Sequence, residues 1–383
     1  MKRLHRRGAL LLTALLFAVG LGTPRAQAKE PSVSAAGCVV LEAETGRVLY
    51  AENAHTKLPM ASTTKIMTAL LAIEHGGLEE VIAVPKEASG VEGSSIYLEV
   101  GEHITLENLL YGLMMHSGND AAEAIALHVD GSIEGFAEKM NARAKEIGAN
   151  NTHFVNPHGL PAEGHYTTAY DLALIAAEAM KNETFRTIVS TTDRTIPWEG
   201  HEWDRVLHNK NKMLYQYQWA NGIKTGYTKA AGRCLVTGAL KDGMQLICVV
   251  LNCPDMYEDS AELLDYGFEN YTLTRVLAKN AVLGEIPVKN GMEPALEVRL
   301  KDDIVVPLNQ SEKSSVSVRI SMEESLEAPV EAGQKLGTVE VYLGESLLVE
   351  KELRCTQEIP VATVKFYWDK VLKNWLIGGF LRQ

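Results

Sequence analysis

Apolar residues recur at Ile66, Met67, Leu70 and Leu71, a helical spacing with one buried face, shortly after Pro59, which keeps Leu58 out of helical dihedrals. The same spacing returns at Leu106, Leu109, Leu110, Leu113 and Met114, and again at Ala121, Ala122, Ile125, Ala126 and Val129. It continues over Ile133–Ile147, closed by Gly148, then over Thr168–Lys181 and Ser260–Phe268. Other stretches alternate. Gly37–Tyr50 breaks at Glu44-Thr45-Gly46 and predicts a hairpin. Ile82–Val84 and Ser95–Leu98 predict short strands, and Thr187–Pro197 and Val206–Lys210 predict strands or extended loops. Ala220–Tyr227 leads to Cys234–Leu240 and Gln245–Leu251, the last two joined by Asp242-Gly243, a strong hairpin signal. Helices clustered against an antiparallel sheet, with the N-terminal hairpin joining that sheet, make an α+β layout.

From about Val276 the pattern is all strand. Val316, Val318, Ile320 and Met322 alternate, as do Val339, Val341 and Leu343, followed by a turn at Gly344-Glu345 and a run over Leu347–Leu353. Short strands between Gly and Pro turns predict a small β-sandwich over 276–360, after a first domain over 29–275. Residues 361–383 carry Val364, Trp368, Val371, Leu372, Trp375, Leu376 and Phe380 on one stripe, with Lys365, Asp369, Lys370, Lys373 and Asn374 on the other side. These charges exclude a spanning helix and predict an amphipathic one lying in a membrane interface; the alternative is a helix packed on the protein's own body.

Composition adds a compartment. Lys2, Arg3, Arg6 and Arg7 precede an apolar run from Ala9 to Gly22, too short to anchor stably across a bilayer, and Ala26-Gln27-Ala28 follows with the small-x-small pattern of a cleavage site. Met1–Ala28 therefore reads as a secretory signal, with an uncleaved anchor as the alternative. The chain of 383 residues has a net charge of −12. The five basic residues of the leader are matched by no acid, so the mature chain stands near −17, an acidic balance that argues against nucleic acid. Cys38, Cys234, Cys248, Cys253 and Cys355 are odd in number and form no close pair, unlike a disulfide framework or a zinc site. No metal ligands and no cofactor are expected.

Candidate chemistry begins at Ser62-Thr63-Thr64-Lys65. Ser62 stands at a helix mouth and Lys65 one turn on, where an amine of lowered pKa could take the hydroxyl proton. By itself the pair reads equally as an N-cap and a solvated lysine. Ser117-Gly118-Asn119 follows on a loop between helices, and Lys224-Thr225-Gly226 at the head of a strand. Singly these are an ordinary turn and an exposed loop; the ordered set in matching contexts is a strong signal.

With these three motifs the chain resembles the serine-type D-alanyl-D-alanine carboxypeptidases, the low-molecular-mass penicillin-binding proteins. Asn156-Pro157-His158-Gly159-Leu160, Tyr166-Thr167-Thr168-Ala169-Tyr170-Asp171, His208-Asn209-Lys210-Asn211 and Gly222-Ile223-Lys224-Thr225-Gly226-Tyr227-Thr228 extend the resemblance over essentially all of 30–360. It implies a penicillin-binding/β-lactamase-like transpeptidase domain, and a family membrane anchor in the tail. It implies Ser62 as acylated nucleophile, Lys65 as its base, Ser117 as proton relay and Asn119 as holder of the substrate amide or of Lys65. Lys224 and Thr225 would take the terminal carboxylate, Gly226 would leave a strand edge open to the peptide, and the N–H groups of Ser62 and Tyr227 would form the oxyanion hole. The implied partners are peptidoglycan stem peptides ending in D-Ala-D-Ala and β-lactam inhibitors, at the outer face of the cytoplasmic membrane. In one place the chain departs from the family: Asp255-Met256-Tyr257-Glu258 stands where members often carry an arginine.

Two other functions fit parts of this pattern. A β-lactamase would need a glutamate to activate deacylating water between the second and third motifs; Glu163 and Glu178 lie there, neither in a recognisable loop pattern. A silent penicillin- or wall-binding module is opposed by the presence of Ser62, Lys65, Ser117, Asn119 and Lys224 together. His116 beside Ser117 is not placed as a Ser–His pair, and His158 reads as a loop hydrogen-bonder.

Overall fold

The computed structural model describes residues 30–380, with side chains to Leu372. The proposed leader lies outside the described residues. The fold divides into two compact units, one ending at Thr272 and the other beginning at Leu273.

In chain order the first unit holds β1 (Gly37–Glu42), β2 (Val48–Glu52), α1 (Lys65–His75), β3 (Val81–Ala83), β4 (His103–Thr105), α2 (Leu106–Met115), α3 (Asn119–Asp130), α4 (Ile133–Ile147), α5 (Ala169–Ala179), α6 (Glu183–Ser190), β5 (Asp193–Ile196), β6 (Arg205–His208), α7 (Met213–Gln216), β7 (Ala220–Thr228), β8 (Gly232–Lys241), β9 (Met244–Leu251) and α8 (Met256–Asn270). The central sheet runs β2-β1-β9-β8-β7, all antiparallel. The N-terminal hairpin joins it through β1 against β9, as the alternation predicts. Asp242 and Gly243 both take positive φ, 51° and 81°, the two left-handed positions of a type I′ turn, so β8 and β9 pair without a gap, Lys241 against Met244.

The predicted helices pack on this sheet. Ile66, Met67, Leu109, Leu113, Ile125 and Phe136 are sealed in one core with Val39, Val236 and Val249 of the strands. Two segments differ from the expectation. Ser95–Leu98 is an irregular loop, because the Asp120 carboxylate takes its amides in place of a partner strand: Ile96 N–H donates at 3.0 Å and Leu98 N–H at 3.1 Å. Thr187–Ser190 is the end of α6, not extended chain. Asn182 caps that helix by accepting from Phe185 N–H, and Phe185, Ile188 and Val189 face the core at helical spacing.

The second unit is all-β apart from its tail: β10 (Thr272–Leu277), β11 (Val282–Lys289), β12 (Ala295–Arg299), β13 (Ile304–Leu308), β14 (Val316–Met322), β15 (Leu326–Glu327), β16 (Lys335–Leu343), β17 (Ser346–Arg354) and α9 (Val364–Phe380). Its sheets run β10-β13, β12-β11-β15 and β14-β16-β17. Val318 pairs with Val341 and Ile320 with Val339, placing the alternating apolar positions against a separate core that includes Val298, Val306 and Leu353. The described side chains of α9 leave Val364, Trp368, Val371 and Leu372 exposed. No described helix is long and apolar enough to cross a membrane.

Candidate active site

Ser62 lies in a one-turn 3-10 segment, Ala61–Thr64, that runs into α1. The turn is held from both sides. Thr63 Oγ1 donates to Met60 O at 2.6 Å and Thr64 Oγ1 to Ala61 O at 2.9 Å. Gly159 approaches so closely, at φ +90°, that a Cβ there would stand 1.9 Å from Ala61 O. On the other side Gly226 of β7 abuts the turn, and a Cβ there would stand 3.0 Å from Ser62 N. β7 is the edge of the sheet, and Lys224 stands mid-strand rather than at its head.

The first turn of α1 brings Lys65 under the hydroxyl. Its Nζ lies 3.1 Å from Ser62 Oγ and donates at 2.7 Å to both Asn119 Oδ1 and His158 O. Asn119 is the first residue of α3, and its amide nitrogen donates to Glu92 O. Ser117, held at φ +67°, turns its Oγ to Lys224 Nζ at 3.2 Å; Lys224 also donates to Thr225 O at 2.9 Å. The three motifs, distant in sequence, thus form one cluster: Ser62–Lys65–Asn119 on one side and Ser117–Lys224 on the other, with Gly226 touching the Ser62 turn. Thr225 is half-buried, and Tyr227 is 66% exposed.

Electrostatics sets the state of the amines. Lys65 and Lys224 are buried, and among the described residues no carboxylate hydrogen-bonds to either. Burial, then the nearby Lys224 cation, holds Lys65 well below the ordinary lysine range. Burial and then Lys210 bring Lys224 down to about 7. Lys210 is itself lowered by burial, and its backbone N–H is tied to Met115 O at 3.1 Å. Asp120 is the one acid that pulls Lys65 upward, and its carboxylate is already occupied by Ser95 Oγ at 2.6 Å and by the amides of Ile96, Leu98 and Ala121.

Sequence reasoning missed Lys210 and Asp120, and read His158 as a loop hydrogen-bonder without placing its carbonyl on Lys65. Lys210 is the third cation of the cluster; only its place beside two asparagines in a quoted motif hinted at it. Asp120 follows Asn119 directly and straps the 95–98 loop to α3. His158 serves through its backbone carbonyl, while its ring accepts from Leu160 N–H at Nδ1 and sets Nε2 3.3 Å from Glu123 Oε1. Burial, then Lys65, keep that ring neutral, with a pKa near about 3. Glu163 is exposed, and the Glu178 carboxylate is engaged by Arg143 and Lys181, each at 2.8 Å. Arg233, opposite Tyr227 in the β7–β8 register, donates to Pro254 O at 2.8 Å and so brings a guanidinium beside the segment that lacks an arginine.

A serine in contact with a buried, charge-depressed lysine, beside a second lysine on an open strand edge, defines an acyl-transfer enzyme of the penicillin-recognising kind. The comparisons narrow this. Residues 25–255 match the D-alanyl-D-alanine carboxypeptidase family, peptidase family S11, and residues 271–361 match the C-terminal domain of penicillin-binding protein 5. D-alanyl-D-alanine carboxypeptidase DacF of Bacillus subtilis is 33% identical over 95% of this chain and 98% of its own length. The D-alanyl-D-alanine carboxypeptidase of Streptomyces sp. strain K15 is 37% identical over 70% of this chain and 99% of its own. The crystal structure of penicillin binding protein 5 from Haemophilus influenzae superposes with a TM-score of 0.72 at 27% identity, covering 87% of this chain and 99% of that one. The chain belongs to the D-alanyl-D-alanine carboxypeptidase family.

Proposed function

We propose that the chain removes the terminal D-alanine from peptidoglycan stem peptides through an acyl-enzyme on Ser62, and that penicillins acylate the same oxygen. The observation that carries this is the coordination of Lys65. When the amine is neutral, its two N–H groups serve Asn119 Oδ1 and His158 O, and its lone pair is left for the Ser62 hydroxyl proton. Ser62 Oγ attacks the carbonyl between the two D-alanines while its proton passes to Lys65. The C–N bond breaks as a proton reaches the departing amine through Ser117, which stands on Lys224. Lys224 and Thr225 receive the substrate carboxylate, and the peptide lies along β7 as an added strand, where Gly226 keeps the Ser62 N–H within reach. The N–H groups of Ser62 and Tyr227 face the developing oxyanion. Water then releases the shortened peptide and frees Ser62.

The protein acts, in this reading, on the outer face of the cytoplasmic membrane. Met1–Ala28 directs export, and α9 lies in the interface with the exposed stripe Val364, Trp368, Val371 and Leu372 toward lipid. The commitment of Glu178 to two cations and the exposure of Glu163 weigh against a β-lactamase.

The deciding experiment combines fluorescent penicillin with peptide mapping, and D-alanine release from a diacetyl-Lys-D-Ala-D-Ala peptide. Label at Ser62, release of D-alanine and a folded, unlabelled Ser62→Ala protein are expected. Label persisting in Ser62→Ala refutes the nucleophile, and penicillin hydrolysis outpacing peptide cleavage refutes the substrate.

A further inference from the structure

At the ends of α1 and α3 away from Lys65 and Asn119, three side chains converge that the acyl-transfer chemistry does not use. His75 closes α1, His128 lies in the last turn of α3, and Glu80 follows the turn between α1 and β3. One ligand-type atom from each lies within 4.8 Å of the others. We propose that His75, Glu80 and His128 bind a divalent cation of the zinc class.

The backbone is built to bring them together. Gly76 and Gly77 take φ of +86° and +69°, reversing the chain directly after His75. Glu80 N–H donates to Gly77 O at 2.8 Å, and Glu80 O accepts from Leu106 N–H at 3.0 Å, which fixes the residue that carries the carboxylate. A Cβ at position 77 would stand 2.2 Å from Glu80 Oε1, so the carboxylate end of this exposed side chain lies directly over Gly77. Gly131, at φ +78°, ends α3 just beyond His128.

The chemistry of the donors fits the same ion. Two imidazoles and one carboxylate form a zinc ligand set that leaves a fourth position open. His128 Nε2 lies 3.2 Å from Glu80 Oε2, close to the roughly 3.3 Å edge of a tetrahedron whose bonds are about 2.0–2.1 Å. That nitrogen is sealed from solvent and makes no hydrogen bond of proper geometry, even to this carboxylate, which is how a lone pair aimed at a cation is placed. The His75 ring stands edge-on to it, centroids 5.5 Å apart. His128 also lines a cleft of about 720 Å³ shared with Glu87 and Glu134, an acidic approach for a cation. Bound there, the ion would pin together the far ends of the two helices that hold Lys65 against Asn119.

Titrating the purified, metal-stripped protein with Co2+, followed by visible d–d absorption, and with Zn2+, followed by melting temperature, tests this. One equivalent of Co2+ with a tetrahedral-type spectrum and a rise in melting temperature with Zn2+ are expected. His128→Ala and the conservative Glu80→Gln should each weaken Co2+ binding at least tenfold while penicillin labelling at Ser62 continues, which shows that the variants are folded. Absence of saturable binding at micromolar metal, or binding that both variants leave within twofold, overturns the site and leaves His128–Glu80 as an ordinary ion pair.

Discussion

At the residue scale the decisive quantity is the proton on Lys65. The ordinary lysine value is 10.5, and burial with a neighbouring cation lowers it in the folded state. Acylation therefore grows as pH rises through the folded value, and kcat/KM for peptide falls away on the acid side. Lys210→Met removes a like charge that acts on both Lys65 and Lys224. Both amines then keep their protons to higher pH, so the acid limb of the kcat/KM profile should move upward; an unmoved limb would place Lys210 outside the cluster's electrostatics. The same shifts bear on stability. Between the folded and unfolded values the unfolded chain binds the extra proton, so stability rises with pH across that window, from about 7 to 10.5 for Lys224. Below the window the cost of the buried cation is fully present. Lys65→Met should raise the melting temperature near pH 6, flatten its rise toward pH 9 and abolish penicillin labelling, a trade of activity for stability. Differential scanning calorimetry at the two pH values checks it.

At the scale of elements the site depends on two straps. One is Asp120, whose carboxylate serves Ser95 Oγ and the amides of Ile96 and Leu98, fixing the loop against which Asn119 is set. Asp120→Ala strands those buried donors, at a cost of about 3 kcal/mol, and should lower kcat/KM for peptide at least tenfold. Urea unfolding beside the peptide assay measures both. The other is the contact of Gly159 with the Ser62 turn. Gly159→Ala adds a Cβ 1.9 Å from Ala61 O in a left-handed backbone position, so the turn must move. The expected loss is about 1–3 kcal/mol of stability, together with slowed penicillin acylation in stopped-flow measurements. Neither strap was legible beforehand. Ser95–Leu98 looks like a strand because its apolar residues alternate, and nothing local says that a carboxylate more than twenty residues on will replace the partner strand. α6 was missed for a related reason: Ile188 and Val189 fit either period until Phe185 and the Asn182 cap are counted with them.

At the scale of the whole molecule the chain combines a catalytic unit, an all-β unit and a C-terminal helix. Among the described residues, the exposed stripe on α9 includes Val364, Trp368, Val371 and Leu372, beside Lys365 and Lys370. A chain ending at Pro360 should keep penicillin labelling unchanged and lose co-sedimentation with anionic phospholipid vesicles. The full-length chain should sediment with them and be partly released by salt, as the lysines on the helix require. Equal sedimentation of both forms would remove the helix from the membrane.

What the sequence determined alone was whatever is encoded within a few residues: helices from their apolar stripe, the β8–β9 hairpin from Asp242-Gly243, and three short motifs whose residue types limit the chemistry to acyl transfer. Tertiary structure decided which of those groups touch and in what state of charge. Lys65 is held below the ordinary lysine range by burial and by Lys224, while Asn119 Oδ1 and the His158 carbonyl accept from its Nζ, all supplied by segments far along the chain. Desolvation and the approach of two like charges exist only once the chain is packed, and no local pattern of residues records them.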